Sequence, residues 1–276
     1  MENVDRQVVN DFGDEWVRFD QTGVSPAELQ SFFEEYFSVF PWDSLPEDPQ
    51  GFDLGCGSGR WAQFVAPKVG RLHCVDPAQG ALDTARRNLR AQSNCEFHCA
   101  SVDAIPLPDA SMDFGYSLGV LHHVPDTARG LRDCVKKLRP GAPFLVYLYY
   151  AFDNRPVWFK ALWKAADYAR RIICRLPPPA KVVVTNAIAL LVYLPLAGTA
   201  LLLEKAGVNV ASFPLSAYRG KSFYTLRTDA RDRFGTRLEQ RFTRSEIQDL
   251  MLAAGLERIA FREEGPYWCA VGFKAS

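Results

Sequence analysis

Short apolar runs alternate with amphipathic stretches along most of this chain. The apolar runs predict strands at 51–55, 71–76, 95–101, 113–119 and 143–149. Between them, residues 78–91 and 127–138 repeat apolar side chains at the spacing of a surface helix. Strands that alternate with helices form a mostly parallel sheet covered by helices on both faces. The pattern therefore predicts an α/β fold with a doubly wound sheet.

The pattern changes near the C-terminus. Residues 256–261 and 267–273 predict two strands joined by a turn at 264–266, an antiparallel hairpin that would close the sheet. The helix ahead of this hairpin begins at Thr243, and Thr243 and Glu246 have the spacing of a capping box.

A glycine-rich bend follows the first predicted strand. Residues 52–60 read Phe-Asp-Leu-Gly-Cys-Gly-Ser-Gly-Arg, and the glycines at 55, 57 and 59 let backbone N–H groups approach a ligand closely. Asp76 ends the second strand about twenty residues later, where a doubly wound sheet presents a carboxylate to a ribose. The spacing therefore predicts a nucleoside-binding site.

Two classes of nucleoside-binding loop are alternatives for this bend. A dinucleotide-binding fingerprint has its third glycine three residues after the second, whereas Gly59 follows Gly57 by two. Asp53 would repel a pyrophosphate and attract a ligand that carries a positive charge. We therefore favour a cationic cofactor, and a nicotinamide-dependent oxidoreductase remains the alternative from a different class.

Three motifs together resemble the class I S-adenosylmethionine-dependent methyltransferases, in the small-molecule branch that includes the quinone methylases. They are Asp53-Leu-Gly-Cys-Gly-Ser-Gly, Val75-Asp-Pro and Ser117-Leu-Gly-Val-Leu-His-His-Val-Pro-Asp, and the match covers residues 50–150 and resumes near 240. The resemblance implies a Rossmann-like core, S-adenosyl-L-methionine as cofactor, and methyl transfer to a small acceptor. Oxygen, carbon, nitrogen and sulfur acceptors all occur on this scaffold, so the acceptor atom stays open.

The resemblance also implies a set of cofactor-binding residues. They are Asp53, Gly55, Cys56, Gly57, Gly59, Asp76, Pro77 and Leu118. In this set the glycine bend would surround the methionine part of the cofactor, and Asp76 would bind both ribose hydroxyls. The backbone carbonyl of Leu118 would accept a hydrogen bond from the amino group of the cofactor.

The adenine end of the site departs from the family pattern. The family usually has an acid and a small residue at the end of the third strand, where this chain has Ser101 and Val102. We expect the Ser101 hydroxyl and the Val102 N–H to contact the adenine, with Asp103 as the rival. Near the N-terminus, Trp16 and Arg18 could close over the methionine tail, although simple packing of these helices onto the sheet is the favoured alternative.

Composition and charge exclude other functions. The 276 residues are 48% hydrophobic, which allows a large core, and 32 basic residues balance 32 acidic ones. A neutral chain has no long-range attraction for nucleic acid, so we expect no such partner. Seven cysteines without a C-x-x-C pair predict a reducing compartment and no metal site. The N-terminus lacks the features of a secretory signal, so we expect a cytoplasmic protein.

Residues 151–240 form an insertion between the fifth strand and the last helix. An insertion there lies over the carboxyl ends of the strands, where open α/β sheets bind ligands, so we expect it to select the acceptor. The chain would thus comprise an N-terminal cover at 1–50, a cofactor core at 51–150, this apolar cap, and the end of the core at 241–276. The first helix of the cap, at 156–176, is predicted to be two-faced. Its basic face has Lys160, Lys164, Arg171 and Arg175, and its apolar face has Trp158, Phe159, Leu162, Trp163, Ala166, Ile172 and Ile173.

Residues 182–203 contain no charged side chain, a length that meets the bare criterion for a membrane span. Asn186, Pro195 and Gly198 interrupt this run, and a span would place two halves of one sheet on opposite sides of a bilayer. We therefore expect a buried cap over an apolar acceptor, and we expect most of the protein to stay unbound in flotation with anionic liposomes. The alternative is that the first cap helix rests on an anionic membrane surface where a lipid or quinone acceptor resides. If the insertion is only a docking surface, a noncatalytic partner of a membrane enzyme also remains open.

Methyl transfer needs little from the protein beyond alignment, exclusion of water and, for a hydroxyl acceptor, removal of a proton. Candidate bases are His122 and His123 after the fourth strand and Tyr147, Tyr149 and Tyr150 after the fifth. In families of this kind one histidine of such a pair is often structural, bonded to the backbone near the cleft.

A second polar cluster lies at 218–233. Its alternating charges favour internal salt bridges. The functional alternative is that Arg219 or Arg227 binds an anionic group of the acceptor, in a pocket lined by tyrosines. The candidate lining residues are Tyr150, Tyr218 and Tyr224.

Overall fold

The computed structural model describes residues 2–263 and 267–276, so the predicted turn at 264–266 lies outside the described residues. Within them one sheet contains β1 Gln50–Leu54, β2 Arg71–Asp76, β3 Cys95–Cys99, β4 Phe114–Leu118, β5 Pro143–Tyr147, β6 Leu256–Phe261 and β7 Cys269–Lys274. The strand order is β3-β2-β1-β4-β5-β7-β6. Among these strands β7 alone points in the opposite direction, so its pairings with β5 and β6 are antiparallel and the other pairings are parallel. The predicted mostly parallel sheet with an antiparallel C-terminal end is therefore confirmed.

The helices of the described residues lie between and around these strands. They are α1 Arg6–Arg18, α2 Pro26–Tyr36, α3 Ala62–Val65, α4 Gln79–Asn88, α5 Thr127–Lys137, α6 Val157–Ile173, α7 Pro178–Ile188, α8 Leu194–Lys205, α9 Phe223–Gly235 and α10 Arg244–Ala253. The helices α4 and α5 occupy the two stretches that the apolar spacing predicts. The predicted capping box at the start of α10 is also confirmed, because Thr243 N–H donates to Glu246 Oε2 at 2.7 Å and Glu246 N–H donates to Thr243 Oγ1 at 3.2 Å.

The chain divides into two compact units. The first comprises residues 1–21, 29–151 and 238–276 and contains the whole sheet. Adjacent side chains of β5, Phe144 and Leu145, belong to two separate core clusters because successive residues of a strand point to opposite faces. One cluster includes Leu131 of α5 and Met251 of α10, and the other includes Phe33 of α2 and Leu82 of α4. Helices thus cover both faces of the sheet, as the apolar pattern predicts.

The strand order reverses beside β1, which pairs with β2 on one side and with β4 on the other. In an open α/β sheet, ligands bind at such a reversal, in the crevice outside the carboxyl ends of the strands. The residues that follow Leu54 and Leu118 lie at this edge of the sheet.

The second unit comprises residues 22–28 and 152–237 and is helical. A π turn at Ala189–Tyr193 joins α7 to α8 in one continuous helix. This turn lies directly before Pro195, where an α-helix would lose a hydrogen bond because proline has no N–H. The helices α6 and α7 and the π turn all pack against α9. Their shared core contains Ala189, Tyr193, Ala197, Leu226, Ala230 and Phe234.

The expectation of a buried cap is wrong for the long helix 178–205. Only 22% of its most apolar stretch is buried, and it is long and apolar enough to cross a membrane by length and composition. Its buried positions form one narrow row: Lys181, Thr185, Ala189, Tyr193, Ala197 and Ala200. Residues spaced by three or four share one side of a helix. On this side α9 packs against α7 and the π turn, and Ser216–Tyr218 pack against α8.

The helix α6 is two-faced as predicted, but its apolar face is only partly buried. Trp158, Leu162 and Ile172 are each at least half exposed, at 52%, 50% and 53%. On the same face Phe159 and Trp163 are half-buried. The reason is that the helix packs through Ala166, Ala169 and Ile173, a narrower apolar row than the sequence pattern indicates.

Candidate cofactor and active site

The glycine bend after β1 has a conformation that other residues rarely adopt. Gly55, Gly57 and Gly59 have φ angles of 74°, 54° and 78°. The N–H groups of Gly55 and Cys56 both donate to the carbonyl of Val75, at 2.7 and 3.2 Å. These bonds tie the bend to the end of β2.

Asp76 links the two loops through its carboxylate. Its Oδ2 accepts from the Gly57 N–H at 3.0 Å, and its Oδ1 accepts from the Ala78 N–H at 2.9 Å. Burial raises the pKa of Asp76 to about 6, although both N–H groups favour the ionised form. A carboxylate has about four acceptor positions, so these two bonds leave room for the ribose hydroxyls that the resemblance implies.

Trp16 lies directly against the glycine bend. A Cβ added at Gly57 would meet the indole Cε2 of Trp16 at 2.8 Å, so only glycine permits this approach. The helix α1 thus carries Trp16 to the predicted cofactor loop, while Arg18 is exposed. Whether the indole covers a cofactor stays a prediction.

Asp53 is a buried acid next to the bend. It is 1% exposed, and its Oδ2 has no hydrogen-bond partner among the described residues. Burial raises its pKa well above the usual range, and the Tyr116 phenol on β4 opposes this rise. An acceptor oxygen buried in this way is stabilised by a cation or a strong donor, such as the ammonium group of a methionine tail.

The two rival adenine contacts are joined to each other. Ser101 Oγ donates to Asp103 Oδ1 at 2.6 Å, and the Asn3 N–H donates to Asp103 Oδ2 at 2.8 Å. Partial burial acts to raise the pKa of Asp103, but these hydrogen bonds outweigh it and lower the pKa. Val102 is 5% exposed and its side chain packs in the core, which leaves only its backbone for a ligand.

Asn3 hydrogen-bonds to the candidate site loops, which the sequence analysis did not expect. Its side-chain Nδ2 donates to the Asp126 carbonyl, and its Oδ1 accepts from the Asp126 N–H, both at 2.8 Å. The N-terminal segment is therefore tied to the loops that follow β3 and β4. No sequence signal pairs residues that lie 123 positions apart.

The two histidines after β4 have different surroundings. His123 Nδ1 lies 2.6 Å from the Leu238 carbonyl oxygen. Because a carbonyl can only accept, we assign the proton to Nδ1, which donates to it. His122 is fully buried, and neither of its ring nitrogens has a hydrogen-bond partner among the described residues. Burial, aided by His123, lowers the pKa of His122 well below its usual value, so its imidazole is neutral.

The three predicted catalytic side chains are brought together. The His122 ring stacks on Tyr149 with centroids 3.8 Å apart, and it lies 4.0 Å from the His123 ring. The guanidinium of Arg241, which the sequence analysis missed, lies 5.1 Å from the Tyr149 ring and donates to the Tyr150 carbonyl at 3.2 Å. The stacked rings and the guanidinium near Tyr149 together form a wall of packed side chains.

Further tyrosines extend this wall at the carboxyl end of β5. Tyr147 lies 5.8 Å from Tyr149 and 5.1 Å from both Tyr36 and Tyr267, measured between ring centroids. We call Tyr36, Tyr147, Tyr149 and Tyr267 the aromatic wall. Burial raises the pKa of Tyr147 well above its usual value, which disfavours it as a base.

The predicted acceptor ligands of the insertion have partners within the helical unit. Tyr218 donates to Asp229 through its hydroxyl, Arg219 forms an ion pair with Glu204 at 2.8 Å, and Arg227 donates to Asn186 at 3.0 Å. The Tyr224 ring packs so closely on Gly23 that an added Cβ would lie 2.4 Å from it. These contacts agree with the favoured internal alternative, and a role in acceptor binding stays a prediction.

Three side chains on β2 and β3 could hold a metal ion, which the sequence analysis did not expect. The ligand atoms of His73, Glu96 and His98 lie within 4.8 Å of one another. However, His73 Nδ1 and His98 Nε2 lie 3.0 Å apart and can hydrogen-bond to each other, and Arg71 Nε lies 3.3 Å from the Glu96 carboxylate. The protein itself thus supplies partners for all three.

Comparison with known proteins agrees with this geometry. Residues 52–146 match the model of a family described as a methyltransferase domain. The chain is 31% identical to a malonyl-[acyl-carrier protein] O-methyltransferase of Serratia marcescens over 128 residues, 46% of this chain and 48% of that protein. It is 28% identical to a ubiquinone biosynthesis O-methyltransferase of Methylocella silvestris over 128 residues, 43% of this chain and 49% of that protein. The chain thus spans about half the length of these curated relatives.

Solved structures share the fold over a longer stretch. An O-methyltransferase family protein of Burkholderia thailandensis superposes with a TM-score of 0.54 at 15% identity, covering 99% of this chain and 61% of that one. At this identity the likeness concerns the fold alone. With the family match, it confirms the resemblance that the three sequence motifs indicate.

Proposed function

We propose that this chain, whose residues 52–146 form a class I S-adenosylmethionine-dependent methyltransferase domain, transfers a methyl group to a small, largely apolar acceptor. The observation that carries the proposal is the junction of the two loops. The glycine bend is held to Asp76 through the Gly57 N–H, and a second buried acid, Asp53, keeps an acceptor oxygen without a partner among the described residues. A ligand with an ammonium group and a ribose suits both acids.

Each part of the cofactor has a candidate partner in the first unit. Asp53 would bind the methionine ammonium, and Asp76 would accept hydrogen bonds from the ribose hydroxyls when ionised. The Ser101 and Asp103 pair would contact the adenine. When bound, S-adenosylmethionine supplies a methyl group on a sulfonium, which leaves as a neutral thioether. Trp16 on the bend would exclude water from the methionine side.

The aromatic wall supports an apolar acceptor. It lies at the carboxyl end of β5, the edge of the sheet where ligands bind in this fold class. For a hydroxyl acceptor we assign the base to His122, because its neutral imidazole has no hydrogen bond among the described residues, whereas His123 Nδ1 donates to Leu238. The need for a base depends on the acceptor, since an amine or a thiol gives up its proton more readily than a hydroxyl does.

Calorimetry with S-adenosylhomocysteine and with nicotinamide adenine dinucleotide tests the cofactor. We expect the full chain to bind the first and not the second, and Asp53→Asn to weaken binding by on the order of tenfold or more, since a hydrogen bond to a charged group contributes ~1.5–3 kcal/mol. Asp83→Asn, an exposed acid on α4, is the matched control. Binding of the dinucleotide alone would refute the proposal and favour an oxidoreductase.

A screen of lipophilic phenols, quinols, isoprenoids and thiols for methyl uptake would identify the acceptor class. A second candidate function is methylation of a lipid or quinone that resides in a membrane. The observation that favours it is the exposed apolar surface of the helix 178–205. In either case we place the reaction in the cytoplasm, with no nucleic acid as substrate.

A further inference from the structure

The long helix of the second unit exposes several large apolar side chains. We call this set the apolar ridge, and it comprises Val183, Leu190, Leu191, Val192, Leu194 and Leu202, which are 44–71% exposed. Leu191, Leu202 and Val183 are the most exposed, at 71%, 69% and 68%. So many large apolar side chains exposed on one helix indicate an interaction site.

Basic residues accompany the apolar ridge in the same unit. Residues 157–203 contain six lysines and arginines and one acid, although the whole chain has no net charge. The acid, Asp167, already pairs with Arg170 and Arg171 at 2.8 Å each. The exposed side of α6 carries Lys164, and the exposed Arg175 follows the end of the helix. Exposed apolar and aromatic side chains that suit a membrane interface lie on the same helix: Val157, Trp158, Leu162, Tyr168 and Ile172.

The packing of the helix argues against a membrane span. Its buried row contacts α9 along α7 and the π turn, beginning at Lys181 Nζ, which donates to the Gly235 carbonyl at 3.3 Å. A span would therefore carry α9 into the hydrocarbon layer with it. The charged residues of α9 are Arg227, Asp229, Arg231, Asp232 and Arg233. Charged side chains in the bilayer centre are costly, so the helix is better suited to lie in the interface.

We propose that the apolar ridge and the basic side of α6 bind an anionic phospholipid bilayer, with the helix 178–205 lying in the plane of the interface. Apolar side chains would enter the boundary between headgroups and acyl chains, and the lysines and arginines would contact anionic headgroups. A second copy of this chain is a poorer occupant, because pairing two such surfaces would bring two sets of basic side chains together.

Membrane docking has a consequence for the acceptor. If the methyl transfer proposed above occurs, the acceptor is a lipid-phase molecule that reaches the enzyme from the bilayer. That consequence rests on the proposed function, whereas the docking does not.

Co-flotation of the full chain with vesicles tests the docking. We expect most of the protein to float with vesicles of phosphatidylglycerol and phosphatidylcholine, and little with phosphatidylcholine alone. Raising the salt concentration should reduce the bound fraction, because exposed charges are screened. Protein that stays unbound with the anionic vesicles at low salt would overturn the proposal.

Variants show which surface is responsible. The double variant Leu190→Glu, Leu191→Glu should lower the vesicle partition coefficient at least tenfold, and Lys164→Glu, Arg175→Glu should do so mainly at low salt. Leu252→Glu is the matched control, because Leu252 is 52% exposed on α10 in the first unit. If the control lowers the partition as much as the ridge variant does, the ridge is not the docking surface.

Two further measurements separate this inference from its alternatives. Calorimetry with S-adenosylhomocysteine on the ridge variant reports whether the first unit is intact. Loss of flotation with unchanged binding of S-adenosylhomocysteine supports the docking and leaves the proposed function unaffected. Light scattering after size-exclusion chromatography reports the oligomeric state. A dimer that the ridge variant converts to a monomer, together with no flotation of the unmodified chain, would assign the ridge to a second copy instead.

Discussion

Asp76→Asn tests the junction between the two loops. In the folded chain burial raises the pKa of Asp76 to about 6, against about 3.9 for an unfolded aspartate. Because the folded pKa is the higher one, the folded state holds the proton more tightly. This contribution to stability is complete below the unfolded pKa and is lost as the pH rises through about 6. Two pKa units correspond to ~3 kcal/mol in the free energy of unfolding.

The assay is urea denaturation at pH 4 and at pH 7, followed by S-adenosylhomocysteine binding from pH 5 to pH 8. The Asp76→Asn variant should lack about 2 kcal/mol of the fall in stability between the two pH values, slightly less than the full effect because pH 4 lies at the unfolded pKa. For ligand binding, the ionised carboxylate accepts the ribose hydroxyls, so the affinity of the unmodified chain should fall as the pH drops below about 6. The variant should bind more weakly at pH 7, by on the order of ten- to a hundredfold, with little pH dependence.

The control for both assays is Asp83→Asn, an exposed acid of α4 in the same unit. It removes the same charge and should preserve both pH profiles. An Asp76→Asn variant that retains the pH dependence of the unmodified chain in stability and in binding would refute the reasoning, because another group would then be titrating.

Three further changes test separate features. Gly57→Ala should destabilise the fold by about 1–3 kcal/mol more than Gly141→Ala in urea denaturation. Both glycines have a positive φ, but only at Gly57 does a side chain lie within 3 Å of the new Cβ. Equal losses of stability would contradict the close approach of Trp16. His122→Phe should lower kcat for a hydroxyl acceptor by about 10²–10⁴-fold, with little change in cofactor affinity. His123→Phe should mainly lower the melting temperature, because it removes the hydrogen bond to the Leu238 carbonyl. The opposite pattern would exchange the two roles. Thr243→Ala should cost about 1 kcal/mol of stability through loss of the N-cap, and an unchanged denaturation midpoint would count against the capping box.

Local patterns in the sequence were sufficient for the core of the fold. The strand and helix spacings identify β1 to β5, α4 and α5, because apolar periodicity reports which side of an element is buried. The bend at 55–59 and the acid at 76 lie close along the chain, so their spacing predicts that the loops meet. The capping box at 243–246 is local for the same reason.

The contacts that complete the site depend on residues far apart in the chain. Asn3 with Asp126 and His123 with Leu238 are separated by more than a hundred positions, and nothing in either segment marks the pairing. The tertiary structure alone also shows that Ser101 and Asp103, rivals in the sequence, share one hydrogen bond.

The long apolar helix shows where sequence reasoning reached its limit. By itself the sequence determined that residues 182–203 are uncharged and long enough for a helix, and it predicted a nucleoside site from the spacing of glycines and acids. Only the tertiary structure decided which part of that helix is covered, since one row of small and polar side chains packs on α9 and the leucines face outward. The hydrophobicity of a side chain reports the free energy gained when it leaves water. That free energy is similar whether the side chain enters a protein core or a bilayer, so the sequence alone does not distinguish the two.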